Sequence, residues 1–240
     1  MVQMTISFHI SKRDLKGCTL ITGFHGLGAT GFIAVKHAVS SLNAELIGYI
    51  ETSRLPPFVS TEEKRLSLPF EIYKKDNYVF VLTNVPPHTK ERQEYSKALA
   101  EWAMDQKFKE SMLLGGLDSR LKPSDGDRIR CTVTKAYKLD ESLNIPLLEK
   151  GLFVVGPLAI MLASFEISSF PAIALLPYAN PTRPDPLAAS VAVEYLNKIT
   201  NLSMDVSQLV NDAQRIETEI QEFNKQRQER GKPEHHTLYI

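Results

Sequence analysis

Short runs rich in Val, Ile and Leu alternate along this chain with stretches whose apolar residues recur every three to four positions, and that alternation limits the fold more than any other feature. Strand-like segments lie at 5–10, 18–24, 46–50 and 78–83, with helix-like segments at 29–42 and 89–107 between and after them. Further strands are expected at 111–115, 128–137, 151–155 and 171–176, several continuous enough in aliphatic residues to be buried on both faces. Strands and helices in alternation predict an α/β domain in which helices cover both faces of one sheet, a three-layer α/β/α sandwich.

Two more helices close the sequence. Asp185 before Pro186 supplies an N-cap followed by a proline in the first turn, after which Ala188, Val191, Ala192, Tyr195, Leu196 and Ile199 fall on one face that packs on the domain. The second helix opens at a capping box formed by Asp205 and Gln208. It then carries Val206, Leu209, Ala213, Ile216, Ile220 and Phe223 at steps of three and four, a heptad seam on an otherwise hydrophilic helix. Such a seam packs either on its parent domain or on another helix, and apolar surface of this kind predicts a homo-oligomer. The expected organisation is an α/β/α domain over 1–200, a C-terminal helical extension over 201–230 and a tail over 231–240.

Composition excludes several classes of function. Lys plus Arg and Asp plus Glu are both 28, so no phosphate-neutralising surface and no nucleic-acid partner are expected. Cys18 and Cys131 stand far apart in apolar or β-branched runs, where they serve as small buried hydrophobes rather than as a bridge or metal ligands. A reducing, cytoplasmic location is consistent with that usage. The start of the chain lacks the basic residues and apolar block of a signal peptide, and the most apolar run, 151–165, is interrupted at Gly156-Pro157 and too short to span a bilayer, which takes about 20 residues. The segment 122–127 is a turn whose acidic spacing lacks the downstream glutamate of a calcium loop, so no metal is expected.

Gly26-Leu27-Gly28-Ala29-Thr30-Gly31 matches G-x-G-x-x-G, follows a strand and opens a helix, with Glu51 placed where a ribose-binding acid would lie. Against a dinucleotide site, Gly23-Phe24-His25 lengthens the turn and another strand precedes the supposed first one. Gly26, Gly28 and Gly31 therefore have two readings, a nucleotide-binding turn or an architectural one that brings helix and strand together. No nucleophile elbow, zinc-protease helix or Walker loop occurs, and no catalytic residue is assigned. His25 and Glu166 are the one conceivable acid/base pair, and each is better read as an ordinary hydrogen-bonded polar residue.

The chain ends in Leu238-Tyr239-Ile240 on the hydrophilic stretch 231–237, with Gly231 placed to close a helix and Pro233 to prevent its resumption. An apolar residue, a tyrosine and a terminal carboxylate on a tether describe a docking peptide, or else a terminus that folds back on its own domain.

The run from Ile21 to Ala34, then Glu45-Leu46-Ile47-Gly48-Tyr49-Ile50 and Leu55-Pro56-Pro57, resembles the archaeal branch of the proteasome assembly chaperone family. So do Gly151-Leu152-Phe153-Val154-Val155-Gly156-Pro157-Leu158-Ala159, the proline-rich run from Pro181 to Pro186 and the helix after Ala188-Ala189-Ser190. The resemblance covers about 5–220 and implies an α/β/α fold similar to nucleoside phosphorylases and related hydrolases, with no established enzymatic activity and no cofactor. It implies assembly with itself or a paralogous subunit, and binding to the α-subunit ring of the proteasome core particle. Leu238, Tyr239 and Ile240 match, position by position, a hydrophobic-tyrosine-any tripeptide that family members and proteasome activators use. On that resemblance the Ile240 carboxylate pairs with a lysine between adjacent α-subunits and Tyr239 is the aromatic anchor. Nothing in the chain resembles an ATPase module.

Overall fold

The structure, a computed structural model, describes residues 5–62 and 65–230, the last eight by their backbone alone. In chain order the strands are β1 (Ile6–Ile10), β2 (Thr19–Gly23), β3 (Glu45–Thr52), the small hairpin β4 (Ser60–Glu62) and β5 (Arg65–Ser67), β6 (Phe70–Lys75), β7 (Tyr78–Thr83), β8 (Glu110–Leu114), β9 (Leu117–Asp118), β10 (Ile129–Val133) and β11 (Ala172–Ala179). The helices are α1 (Thr30–Ser41), α2 (Arg92–Asp105), α3 (Pro157–Ile167), α4 (Pro186–Thr200) and α5 (Ser207–Arg230).

One mixed sheet runs in the order β1-β3-β6-β7-β2-β8-β11-β10, with β9 adding to the end of β11. Its centre, β7, β2, β8 and β11, is parallel, while β6 and β10 flank it antiparallel. Successive strand residues point to opposite faces and both faces are dry. Leu20 of β2 belongs to one core with Tyr95 and Leu99 of α2 and Met161 and Phe165 of α3. Ile21 belongs to the other, with Ala34 and Val35 of α1, Ala192 and Leu196 of α4 and Leu209 of α5. Every residue of β11 is buried, which is why its sequence reads as a continuous apolar run without alternation. The expected three-layer α/β/α sandwich with a C-terminal helix is the fold found.

Some local expectations are corrected. Residues 151–155 form no strand: Leu152 makes an isolated bridge to Lys150, and Phe153 and Val155 stand 76% and 70% exposed in a loop bounded by Gly151 and Gly156 at φ 97° and 73°. The apolar run satisfied the pattern of a buried strand, but β10 already closes that side of the sheet and pairs with Leu147 beyond it. The rest of that run is helix α3, where Pro157 takes the first turn. Strand 128–137 ends at Val133, while 171–176 extends to Ala179. β6 lies outside the expected strands. Its signal is the Asp76-Asn77 turn ahead of β7, with Asp76 in the left-handed conformation at φ 48°.

Among the described residues no helix is long and apolar enough to cross a membrane.

Candidate functional site

The carboxyl ends of β7, β2, β8 and β11 share one edge of the sheet, and the turns leaving them carry the residues singled out above. The first is the glycine turn. After Gly23 the chain makes a tight bend at Phe24–Gly26, a short 3-10 turn at Leu27–Ala29 and then α1. Gly31 needs its missing side chain, because a Cβ there would lie 2.1 Å from the Leu114 carbonyl oxygen. Gly28 adopts φ 61°, and a Cβ on it would meet that of Asp185 at 2.9 Å. Its carbonyl also accepts the Asp185 amide at 2.8 Å, tying the turn to the start of α4. Asp185 in turn caps α4 through Ala188 N at 2.9 Å and accepts Asn180 N at 2.8 Å. A carboxylate packed against the turn has the wrong sign for a phosphate site. Glu51 does not reach the turn either: β3 is separated from β2 by β6 and β7, and Glu51 pairs with His9 at 2.9 Å. Gly26 is different. It has φ −98°, and a side chain there would meet nothing within 4 Å.

Gly26 and His25 line a largely apolar cavity of about 270 Å³ between the glycine turn, the Gly115-Gly116 bend after β8 and the start of α3. Leu121, Phe153 and Val155 rim it, 52%, 76% and 70% exposed. Contiguous apolar surface of this kind marks interaction sites rather than ordinary solvent-facing protein. The His25 ring stacks on Phe32 with centroids 4.1 Å apart, and its Nδ1 is buried without a hydrogen-bond partner. Desolvation lowers the imidazole pKa below its ordinary value, so the ring is neutral near pH 7. Behind Phe24, Tyr95 makes an edge-on ring contact at 6.4 Å. The Tyr95 hydroxyl lies beside Thr83, yet neither group reaches hydrogen-bonding geometry, and burial raises the Tyr95 pKa. Both carboxylate oxygens of buried Glu91, one turn before Tyr95 on α2, also lack partners.

His25 and Glu166 form no pair. Pro157 at the start of α3 lines the same cavity as His25, whereas Glu166 lies nine residues further along α3, about 14 Å at the helical rise, exposed and accepting Lys135 N at 2.8 Å. The best-satisfied buried acid carries no motif in the sequence. Glu71, wholly buried on β6, accepts from Arg65 at 2.6 Å, Tyr73 at 2.7 Å, the Leu68 amide and Asn84 at 3.1 Å, and Ser67 at 3.2 Å. It anchors the β4–β5 hairpin through donors drawn from the β5–β6 turn and its flanking strands, joined by Asn84 from the end of β7.

The α5 seam divides along its length. Leu209 is buried in the core beside α1 and α4 with Val206 packed against it, while Ala213, Ile216 and Ile220 are half-buried. Asp205 accepts both the amide of Ser207 at 3.0 Å and its hydroxyl at 2.7 Å, so the cap runs through Ser207 rather than Gln208. Phe223 contributes only backbone to the described structure, and Leu238, Tyr239 and Ile240 lie outside the described residues. Cys18 and Cys131 are both free and buried, and burial raises the Cys131 thiol pKa to about 11. Among the described residues no cluster of His, Cys, Asp and Glu is arranged to hold a metal ion.

Comparison with known proteins matches residues 20–224 to the PAC2 family. An uncharacterised protein of Methanocaldococcus jannaschii is 22% identical over 217 residues, 90% of this chain and 89% of that one. The fold is similar to the crystal structure of Pyrococcus furiosus PbaA, described as an archaeal homolog of proteasome-assembly chaperone, with TM-score 0.78 and 23% identity over 95% of this chain and all of that one. It is also similar to P. furiosus PbaB, described as an archaeal proteasome activator, with TM-score 0.75 and 18% identity over 93% of this chain and all of that one.

Proposed function

The chain belongs to the PAC2 family, and from that membership we propose that it is a non-catalytic, ATP-independent chaperone or adaptor that binds the α-ring of the proteasome core particle. The observation that carries this reading is the combination of a body folded like PbaA and PbaB with a chain that ends in Leu238-Tyr239-Ile240. Tyr239 is the aromatic anchor in a pocket between α-subunits, and the Ile240 carboxylate pairs with a lysine there. The protein works in the cytoplasm as an oligomer, with itself or with a paralogous subunit. Its organisation follows from this: an α/β/α body over 1–200, an extension over 201–230 whose helix α5 (Ser207–Arg230) projects toward the ring, and the docking tail over 231–240. Ala213, Ile216 and Ile220, half-buried in a single chain, are the surface through which subunits meet. Several tails on one assembly then add weak contacts through effective concentration.

Binding of the intact protein to immobilised core particle, measured by surface plasmon resonance, tests this reading. Deleting Leu238–Ile240, changing Tyr239→Ala or adding one residue after Ile240 should each abolish most of the response. Unchanged binding by all three variants refutes the tail as the docking element. Light scattering should give a mass of several subunits, reduced by Ile216→Asp. The packing of Gly28 and Gly31 favours the architectural reading of the glycine turn over nucleotide binding, and calorimetry with NAD and ATP should show no micromolar affinity.

A further inference from the structure

The cavity behind His25 sits at a topological switch of the sheet. β2 and β8 are parallel neighbours. From β2 the chain leaves through α1, on one face, toward β3 on the β7 side; from β8 it leaves through α3, on the other face, toward β11 on the opposite side. Connections that part in this way open a crevice outside the carboxyl ends of the two strands, which is where open α/β sheets bind small ligands. Here the Phe24–Leu27 turn after β2, the Gly115-Gly116 bend after β8 and the first turn of α3 wall that crevice.

Size and charge narrow what fits. An apolar cavity of about 150 Å³ holds benzene, so about 270 Å³ gives room for two fused rings and not for a nucleotide. Asp118 in the wall is held ionised by Arg120, whose Nε donates to it at 2.9 Å, and repels an anion. The first turn of α3, uncapped by any side chain at Gly156, presents the positive end of the helix dipole and disfavours a cation. A neutral molecule remains. Phe24, Leu158 and Leu176 give it buried apolar walls, while His25 Nδ1, buried without a partner, is costly unless a hydrogen bond completes it. The neutral imidazole accepts at Nδ1 when Nε2 carries the proton, so the complementary group is an N–H or O–H donor.

We propose that this cavity binds a neutral aromatic compound of one or two fused rings, packed between Phe24 and the Phe153 loop and donating a single N–H or O–H to His25 Nδ1. The ligand covers Phe153 and Val155, two large apolar side chains that a loop bounded by Gly151 and Gly156 at φ 97° and 73° otherwise holds in water. The site uses the body alone and shares no residue with the docking tail or the α5 seam, so it goes beyond the reading proposed above.

Indole and benzothiophene share size and shape and differ in the ring N–H, and each can be titrated into the full chain by ligand-observed NMR. Indole should bind saturably with a dissociation constant below about 1 mM, within reach of a ligand this small. Phe153→Asp should weaken it about tenfold or more through lost apolar cover, and melting curves should show the fold intact because Phe153 faces solvent. Leu66→Asp, the same change at an exposed leucine on the β4–β5 hairpin, should leave binding unchanged. His25→Phe keeps a ring against Phe32 and removes Nδ1, so the preference for indole over benzothiophene should fall about fivefold, the worth of one neutral hydrogen bond. That ratio compares two ligands on one protein, so a change in the fraction folded cancels. No saturable binding of indole, no effect of Phe153→Asp, or an equal loss in Leu66→Asp overturns the site. A preference for indole that survives His25→Phe overturns the hydrogen bond and with it the ligand class.

Discussion

Replacing Gly31 by alanine puts one methyl group against rigid backbone: 2.1 Å from the Leu114 oxygen, 2.9 Å from the Phe24 nitrogen and 3.0 Å from the Leu114 carbonyl carbon. None of these atoms belongs to a side chain that can rotate away. The start of α1 must lift from β8 by more than 1 Å, loosening the contact of Ala34 and Val35 with the sheet. Overpacking of this kind costs about 3 kcal/mol or more. Alanine returns about 1 kcal/mol through its helix propensity relative to glycine. The net loss of about 2 kcal/mol corresponds to a fall of about 0.7 M in the urea midpoint at a slope near 3 kcal/mol per M. Urea unfolding followed by circular dichroism reads this directly. Gly26→Ala is the internal control: nothing lies within 4 Å of the new methyl and φ is −98°, so its stability should stay equal or rise by ~0.4–1 kcal/mol through a stiffer unfolded chain. If Gly31→Ala proves as stable as the parent, or Gly26→Ala the more damaging of the two, the architectural account of the turn is wrong.

Other perturbations probe the buried polar groups. Glu71→Gln sets an amide NH₂ among the donors of Arg65, Tyr73 and Asn84, and should cost about 3 kcal/mol, the low end for breaking a buried pair because Arg65 reaches solvent; a thermal or urea loss under about 1 kcal/mol would falsify that ledger. His25 is held neutral by burial, so the unfolded chain binds its proton more readily; stability is fully present above the ordinary value of 6.5 and should fall as pH drops below it. His25→Gln should remove that component of the acid-side slope, and an unchanged slope would show that other groups account for it. With both cysteines buried and the thiol of Cys131 pushed up to about 11, a thiol reagent at pH 8 should label neither in native protein and both in urea; rapid native labelling would contradict the burial.

Much of the architecture is legible in local sequence because local chemistry dictates it. Asp185-Pro186 starts α4 in the structure as it does on paper, since a carboxylate that caps Ala188 N and a proline that needs no donor both act within one turn. β7 matches residue for residue, and β2 and α1 agree within a residue at each end, because hydrophobic periodicity over one segment reports burial on one or two faces. The apolar run 151–165 escaped that logic. Continuous hydrophobicity does not distinguish a buried strand from a helix or from a loop kept apolar for contact, and the choice depended on whether the sheet had an edge to offer beyond β10. The glycine motif was similarly ambiguous. Its letters fit a phosphate turn, and only the approach of Leu114 and Asp185, 83 and 154 residues after Gly31, shows what the missing side chains make room for. The cavity behind His25 exists solely because turns distant in sequence share one edge of the sheet, and no pattern confined to neighbouring residues encodes such a meeting.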